Sequence, residues 1–287
     1  ICECGRGNRD IPMLRIALPN KGSLSEGAAD LAAAAGYRCR RSGRELALAD
    51  AENDVEFIFL RPRDIPVYIA GGIIDLGITG RDLALDSGAQ FAELLELGFG
   101  RSTFRYAVPA DSDMTPDTFD GCRIATSYPT LVQLDLEKRN VRARPVRLDG
   151  AVEISVRLGV AEAIADVVET GRTLGEAGLK VVGDPIIESE AIVLARDRAA
   201  ALADPEIQSF LRRARGIVVA RDYVMVEYDI PSEMLEPACR ITPGIESPTI
   251  APLNDPEWRA VKAMARRREV NPIMDRLEEL GAKGILI

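Results

Sequence analysis

The stretch richest in chemistry is Ala163-Ile-Ala-Asp-Val-Val168, followed at once by Glu169-Thr170-Gly171-Arg172-Thr173-Leu174. An apolar run of strand length ends in a loop carrying two hydroxyls, a glycine and an arginine, and a short helix can follow. Glycine lets the backbone approach a ligand closely, successive N–H groups at a helix start favour an anion, and Arg172 adds positive charge. The segment reads as a phosphate loop, with an ordinary strand-to-helix turn as the competing reading. Lys21, Arg61 and Arg81 each follow another predicted strand. In a parallel sheet they would gather on one edge, and three cations at one rim fit a polyanion, although most lysines and arginines taken singly are solvated surface charges. Asp149, Glu153 and Asp166 flank the phosphate-type loop and offer hard oxygen ligands or acceptors for ribose hydroxyls. Asp149 reads equally well as the N-cap of a following helix. Tyr128, in Ala125-Thr-Ser-Tyr-Pro129, either stacks on a base or packs in a loop.

Composition removes several alternatives. The chain has no histidine, so Ser/His/Asp and Cys/His triads, HExxH zinc sites and a histidine base are excluded. With 36 Lys+Arg against 45 Asp+Glu the net charge is −9, which repels a nucleic-acid backbone. Cys2, Cys4, Cys39, Cys122 and Cys239 are odd in number and irregularly spaced, so reduced thiols in a cytoplasmic protein are expected. No apolar run approaches the length of about 18 residues that would suggest a membrane span. Gly98-Phe-Gly100 lacks the third glycine of a dinucleotide fingerprint, and GxxxxGK[ST] is absent. Residues 1–12 are polar and Gly-rich, and are expected to form a disordered leader upstream of the natural start at Met13.

The elements that must position these groups alternate between strand and helix. Leu14–Leu18 is a strand, and Ser23-Leu-Ser-Glu26 spells a capping box for a helix closed by Gly36. Strands are expected at Val55–Leu60 and Ile74–Thr79, and a new series starts at Thr115-Pro116, an N-cap followed by proline at the first helical position. It continues with strand Arg123–Ala125, helix Leu131–Arg139, strand Ala143–Leu148, helix Gly150–Leu158 and strand Ala163–Val168. Such alternation implies α/β lobes with largely parallel sheets, whose ligands gather beyond the carboxyl ends of the strands. The expected division is lobe I at 13–108 and 197–222, lobe II at 109–196, and a third domain at 223–287. The last region orders its elements as β-α-β-β-α-β, a ferredoxin-like signature often used to bind effectors.

These residues together resemble the long form of ATP phosphoribosyltransferase, the first enzyme of histidine biosynthesis. The resemblance runs from Met13 to Ile287 through Leu14-Arg-Ile-Ala-Leu-Pro-Asn-Lys-Gly22, Phe59-Leu-Arg-Pro62, Leu76-Gly-Ile-Thr-Gly-Arg-Asp82, Arg123-Ile-Ala-Thr126, Asp149-Gly-Ala-Val-Glu153, Ala165-Asp-Val-Val-Glu-Thr-Gly-Arg-Thr-Leu174 and Glu246-Ser-Pro-Thr-Ile-Ala-Pro252. It implies two periplasmic-binding-protein-like lobes around a cleft and a C-terminal regulatory domain that binds histidine. By the same resemblance Glu169, Thr170, Gly171, Arg172, Thr173 and Leu174 hold the 5-phosphate of phosphoribosyl pyrophosphate, with Asp166 near the ribose. Lys21, Arg61 and Arg81 serve the nucleotide and pyrophosphate region, Tyr128 lies near the adenine, and Asp229, Ser247 and Thr249 form the effector pocket. The resemblance further implies Mg2+ as cofactor, dimers assembling into a hexamer, and no separate regulatory subunit.

The implied reaction joins N1 of ATP to C1 of the sugar and releases pyrophosphate, which requires no side-chain base. Its rival from another class is a solute-binding protein or sensor, because bilobal α/β clefts also bind small molecules without chemistry.

Overall fold

The computed structural model describes residues 13–287 apart from 42, 44, 169 and 170. The expected leader at 1–12 lies outside the described residues. The chain divides into two compact units, the first ending at Ala214 and the second running from Arg215 to Ile287.

In the first unit the chain runs through β1 (Leu14–Pro19), α1 (Ser23–Ala34), β2 (Ala47–Asp50), β3 (Val55–Leu60), α2 (Ile65–Ala70), β4 (Leu76–Gly80), α3 (Arg81–Asp86) and β5 (Ala92–Glu96). It then crosses to β6 (Ser102–Pro109), β7 (Arg123–Thr126), α4 (Pro129–Arg139), β8 (Arg144–Arg147), β9 (Ala163–Val168), α5 (Arg172–Glu176) and β10 (Leu179–Ser189). It returns through β11 (Ala191–Ala195), α6 (Arg198–Ala203) and α7 (Pro205–Asp222), the last of which continues past the division. The first sheet has the order β2-β3-β1-β4-β11-β5 and the second β10-β6-β9-β7-β8. These are the two α/β lobes of a periplasmic-binding-protein-like fold, joined by two crossings of the chain.

Strand pairing moves the expected lobe boundaries. β6 pairs with β10 and β9 in the second sheet, and β11 pairs with β4 and β5 in the first. The crossings therefore lie just before 102 and at Glu190, not after 108 and 196. An apolar strand can satisfy its ladder in either sheet, and no local signal tells which. Both sheets are mixed: β3, β1 and β4 are parallel, but β2, β11 and β5 run antiparallel to their neighbours.

Local chemistry explains most boundaries. Thr115 and Thr118 close a reciprocal capping box around Pro116, as the Thr-Pro pair predicts. The capping box expected at Ser23 and Glu26 does not form. Gly22 occupies the N-cap with φ 81°, so Ser23 is already helical, and Ser25 Oγ instead donates to the Pro19 carbonyl at 2.9 Å. The helix expected over Gly150–Leu158 shrinks to a 3₁₀ turn at Val152–Ile154, entered through Ala151 at φ 49°. Asp149 consequently caps no α-helix; it is exposed and lies 3.3 Å from Arg147.

The unit boundary falls within α7 rather than at 222, directly after the last fully buried residue of that helix. Ile207, Phe210, Leu211 and Ala214 are buried, with Phe210 against Tyr37 at 5.4 Å between ring centroids. After Ala214 no residue of this helix is fully buried, and Ile217, Val218 and Val219 are half-buried.

The second unit contains β12 (Tyr223–Pro231), α8 (Leu235–Ile241), β13 (Thr249–Pro252), β14 (Trp258–Arg266), α9 (Val270–Glu279) and β15 (Lys283–Leu286). Its antiparallel sheet has the order β13-β14-β12-β15, the ferredoxin-like arrangement expected from the element order. Val226, Tyr228, Ile230, Val261 and Ala265 form a core with Ala238, Val270, Ile273 and Leu277 of the two helices. The opposite sheet face carries Glu227, Asp229 and Lys262, together with Met225 and Met264.

Candidate active site

The parallel trio β3-β1-β4 sends its three carboxyl ends to one edge of the first sheet. Lys21, Arg61 and Arg81 follow those ends, so the sequence-derived gathering of cations on one rim holds at the level of topology. Lys21 and Arg61 are exposed there. Arg81 is not a free rim cation: its guanidinium is 2.6 Å from both Glu93 and Glu96. These carboxylates raise its pKa, Glu93 foremost, and keep its charge compensated within its own lobe.

Between the lobes lies a cleft of about 340 Å³, lined by Ser23, Arg63, Asp82, Ser127, Tyr128 and Asp166 among others. A second cavity of about 270 Å³ adjoins it through Asp166 and Val167, and is lined also by Glu153, Val168, Gly171, Thr173 and Leu174. The end of β9 therefore forms the wall between two compartments, and Asp166 faces both. Burial raises the Asp166 carboxyl above the ordinary aspartate value; the Val167 N–H, 2.8 Å away, opposes the rise, Glu153 adds to it by repulsion, and Arg63 opposes it.

In the second compartment Gly171 is the N-cap of α5 with φ 74°, a conformation that disfavours any residue with a Cβ. Leu174 is buried in the lobe core with Ile164, Val168 and Leu179, so its part is to anchor the turn. Arg172 pairs with Glu176 at 2.9 Å and is largely exposed; it does not line the cavity in this arrangement. Glu169 and Thr170 lie outside the described residues.

Tyr128 sits in the cleft with its ring tilted against Phe104 at 4.9 Å and the Arg63 guanidinium 4.5 Å from its centroid. Burial raises its hydroxyl pKa, reinforced by the nearby Asp82 carboxylate. Arg63 also bonds Asp86 at 2.7 Å. Sequence reasoning selected Arg61 and passed over Arg63, Asp82 and Asp86. Two arginines flank one proline in Arg61-Pro-Arg63, and only the turn into α2 decides which faces the cleft.

In the C-terminal unit Asp229 is half-buried on β12, whereas Ser247 and Thr249 are exposed at the approach to β13 and its first residue. Asp229 stands opposite Ala260, and Thr249 opposite Lys262, so β14 runs between them. Strand pairing places Asp229 and Thr249 on the sheet face away from the helices.

A bilobal α/β protein with polar compartments at the carboxyl ends of its strands is a small-molecule-binding scaffold. Comparison with known proteins narrows this class. A family model described as ATP phosphoribosyltransferase matches residues 61–216, and one described as HisG, C-terminal domain, matches residues 220–287. The ATP phosphoribosyltransferase of Salinibacter ruber is 58% identical over 276 residues, covering 96% of this chain and 97% of the relative. That of Paenarthrobacter aurescens is 53% identical over 278 residues, with the same coverage of 96% and 97%. Among solved structures, the ATP phosphoribosyl transferase (HisG:HisZ) complex from Thermotoga maritima provides a chain with TM-score 0.63 and 27% identity, covering 72% of this chain and 98% of that one. The chain belongs to the ATP phosphoribosyltransferase family, in the long form that carries the C-terminal domain.

Proposed function

We propose that the two adjoining compartments hold the two substrates of the transfer from phosphoribosyl pyrophosphate to ATP, meeting at Asp166. The observation that carries this reading is the sharing of Asp166 and Val167 by the interlobe cleft and the cavity at Gly171–Leu174. The 5-phosphate occupies the loop at 169–174, and Asp166 accepts from ribose hydroxyls. The adenine enters the cleft beside Tyr128 and Arg63. Lys21 and Arg61 neutralise phosphate charge at the rim, while Arg81 is held by Glu93 and Glu96.

The N1 lone pair of adenine forms the bond to C1 as the C1–oxygen bond to pyrophosphate breaks, and that bonding pair departs with the leaving group. N1 carries no proton that must be removed, so the chain's lack of histidine is no obstacle. Fixed alignment of two bound substrates and cationic stabilisation of the leaving group supply the rate enhancement. Among the described residues no group of three or more carboxylates or thiols is arranged to cage a metal. Glu153 and Asp166, two acidic groups facing one compartment, would instead share Mg2+ with substrate oxygens, where it would neutralise pyrophosphate charge.

The reading includes feedback inhibition by histidine through the polar sheet face bearing Asp229 and Thr249, with Ser247 beside it. It also includes assembly of dimers into a hexamer, regulation without a separate subunit, and action in the cytoplasm. Among the described residues no helix is long and apolar enough to cross a membrane.

The deciding experiment follows pyrophosphate release with ATP alone, with phosphoribosyl pyrophosphate alone, and with both. Release only with both supports the reading. Release with one substrate alone contradicts it, and no release in any arm returns the cleft to a binding role.

A further inference from the structure

Helix α3 carries two buried carboxylates one turn apart, Asp82 and Asp86, with relative exposures of 6% and 7%. At spacing i, i+4 they share a helix face, and both reach from the first lobe to the second. Asp82 Oδ1 accepts from Ser189 Oγ at 2.7 Å, beside the chain crossing. Asp86 Oδ1 accepts the backbone N–H groups of Thr130 and Leu131 at 3.0 and 3.2 Å.

The second contact is a helix cap supplied from the opposite lobe. The residue at the N-cap of α4 is Tyr128, whose side chain caps nothing, and Pro129 follows it with no N–H to offer. The first free N–H groups of α4 are therefore satisfied by Asp86, whose charge also suits a helix N-terminus. The other oxygen of Asp86 accepts from Arg63 at 2.7 Å, and Arg63 lies 4.5 Å over the Tyr128 ring. One carboxylate thus holds a helix of lobe II, an arginine of lobe I and, through that arginine, an aromatic wall of the cleft.

We propose that Asp86 is a positioning residue that clasps the two lobes together across the cleft by capping α4. For its effect on turnover this rests on the transfer reading above. The phosphate loop belongs to lobe II alone, so loosening the clasp leaves phosphoribosyl pyrophosphate bound but misaligned with the nucleotide. Asp86→Asn keeps an oxygen acceptor for Thr130 and Leu131, whereas Asp86→Ala removes it.

The test compares both variants with the unaltered full chain, by amide exchange at Thr130 and Leu131 and by steady-state kinetics. In Asp86→Ala those two amides should exchange at least about tenfold faster. Its kcat should fall about tenfold or more while KM for phosphoribosyl pyrophosphate stays within about twofold. Asp86→Asn should stay protected and recover most of the lost kcat, a rescue that general destabilisation would not produce. Unchanged exchange in Asp86→Ala overturns the clasp, as does an equal kcat loss in both variants, which would place the effect on the charge of Arg63. Failure of the unaltered chain to release pyrophosphate would overturn the transfer reading, and the exchange measurement would still decide the clasp.

Discussion

At Gly171 and Asp166 the demands of binding and of stability pull apart. A Cβ on Gly171 would meet only Val168 Cγ1, at an ordinary 3.8 Å, so space is not the constraint. The constraint is φ 74°, which costs a non-glycine residue on the order of 1 kcal/mol or more. Gly171→Val should lower kcat/KM for phosphoribosyl pyrophosphate by at least about tenfold, or about 1.4 kcal/mol. An unchanged kcat/KM in the folded variant would remove the loop from the site. Asp166 has its carboxyl raised by burial. Below the unfolded aspartate pKa the residue is protonated in both states and costs nothing. Above its raised folded value it is ionised in both, and the folded state bears the desolvation cost in full. Asp166→Asn should therefore raise Tm at neutral pH, with the gain vanishing as pH falls through the raised pKa toward ordinary aspartate values, while activity drops. A thermal shift scan against pH, paired with initial rates, checks both.

Among the elements, α9 shows how far pattern reading reaches. Asn271-Pro272 at its start and Gly281 beyond its end are local signals, and Val270, Ile273 and Leu277 recur at helical spacing on its buried face. Leu277 is fully buried against β12 and β14. Leu277→Ala should destabilise the C-terminal unit by about 2–5 kcal/mol. Trp258, the only tryptophan, lies in that unit on β14 and reports its melting by fluorescence. A Trp258 transition unmoved by the substitution would show that this core does not govern the unit. The segment at 150–158 marks the limit of the same reasoning. Its residues fit a helical pattern, yet positive φ at Ala151 and Gly159 confines it to a 3₁₀ turn and irregular turns.

For the whole molecule, the consequence to test is coupling between two units. A ligand alters a distant site only if it favours one arrangement over another. Histidine should change Trp258 fluorescence and reduce activity over the same concentration range. A chain ending at Asp222, which keeps α7 whole, should remain active and lose the sensitivity. If it stays active and is still inhibited, histidine competes in the cleft and the C-terminal unit is not its receptor.

The sequence by itself determined the strand–helix alternation, the β-α-β-β-α-β order and the passage from strand through Gly171 to a short helix at 163–176. Each is written in short-range periodicity, turn residues and glycine placement, which act within a few residues. Only the tertiary structure decided that β6 and β11 join opposite sheets, because strand pairing depends on partners far along the chain. It also decided that Arg81 is neutralised by Glu93 and Glu96 while Arg63 turns onto Tyr128, since the same side-chain chemistry serves either fate until neighbours are in place. The cap that Asp86 supplies to α4 was beyond sequence reasoning for that reason: donor and acceptor lie 44 and 45 residues apart, and no local pattern announces a helix whose first N–H groups are satisfied from another lobe.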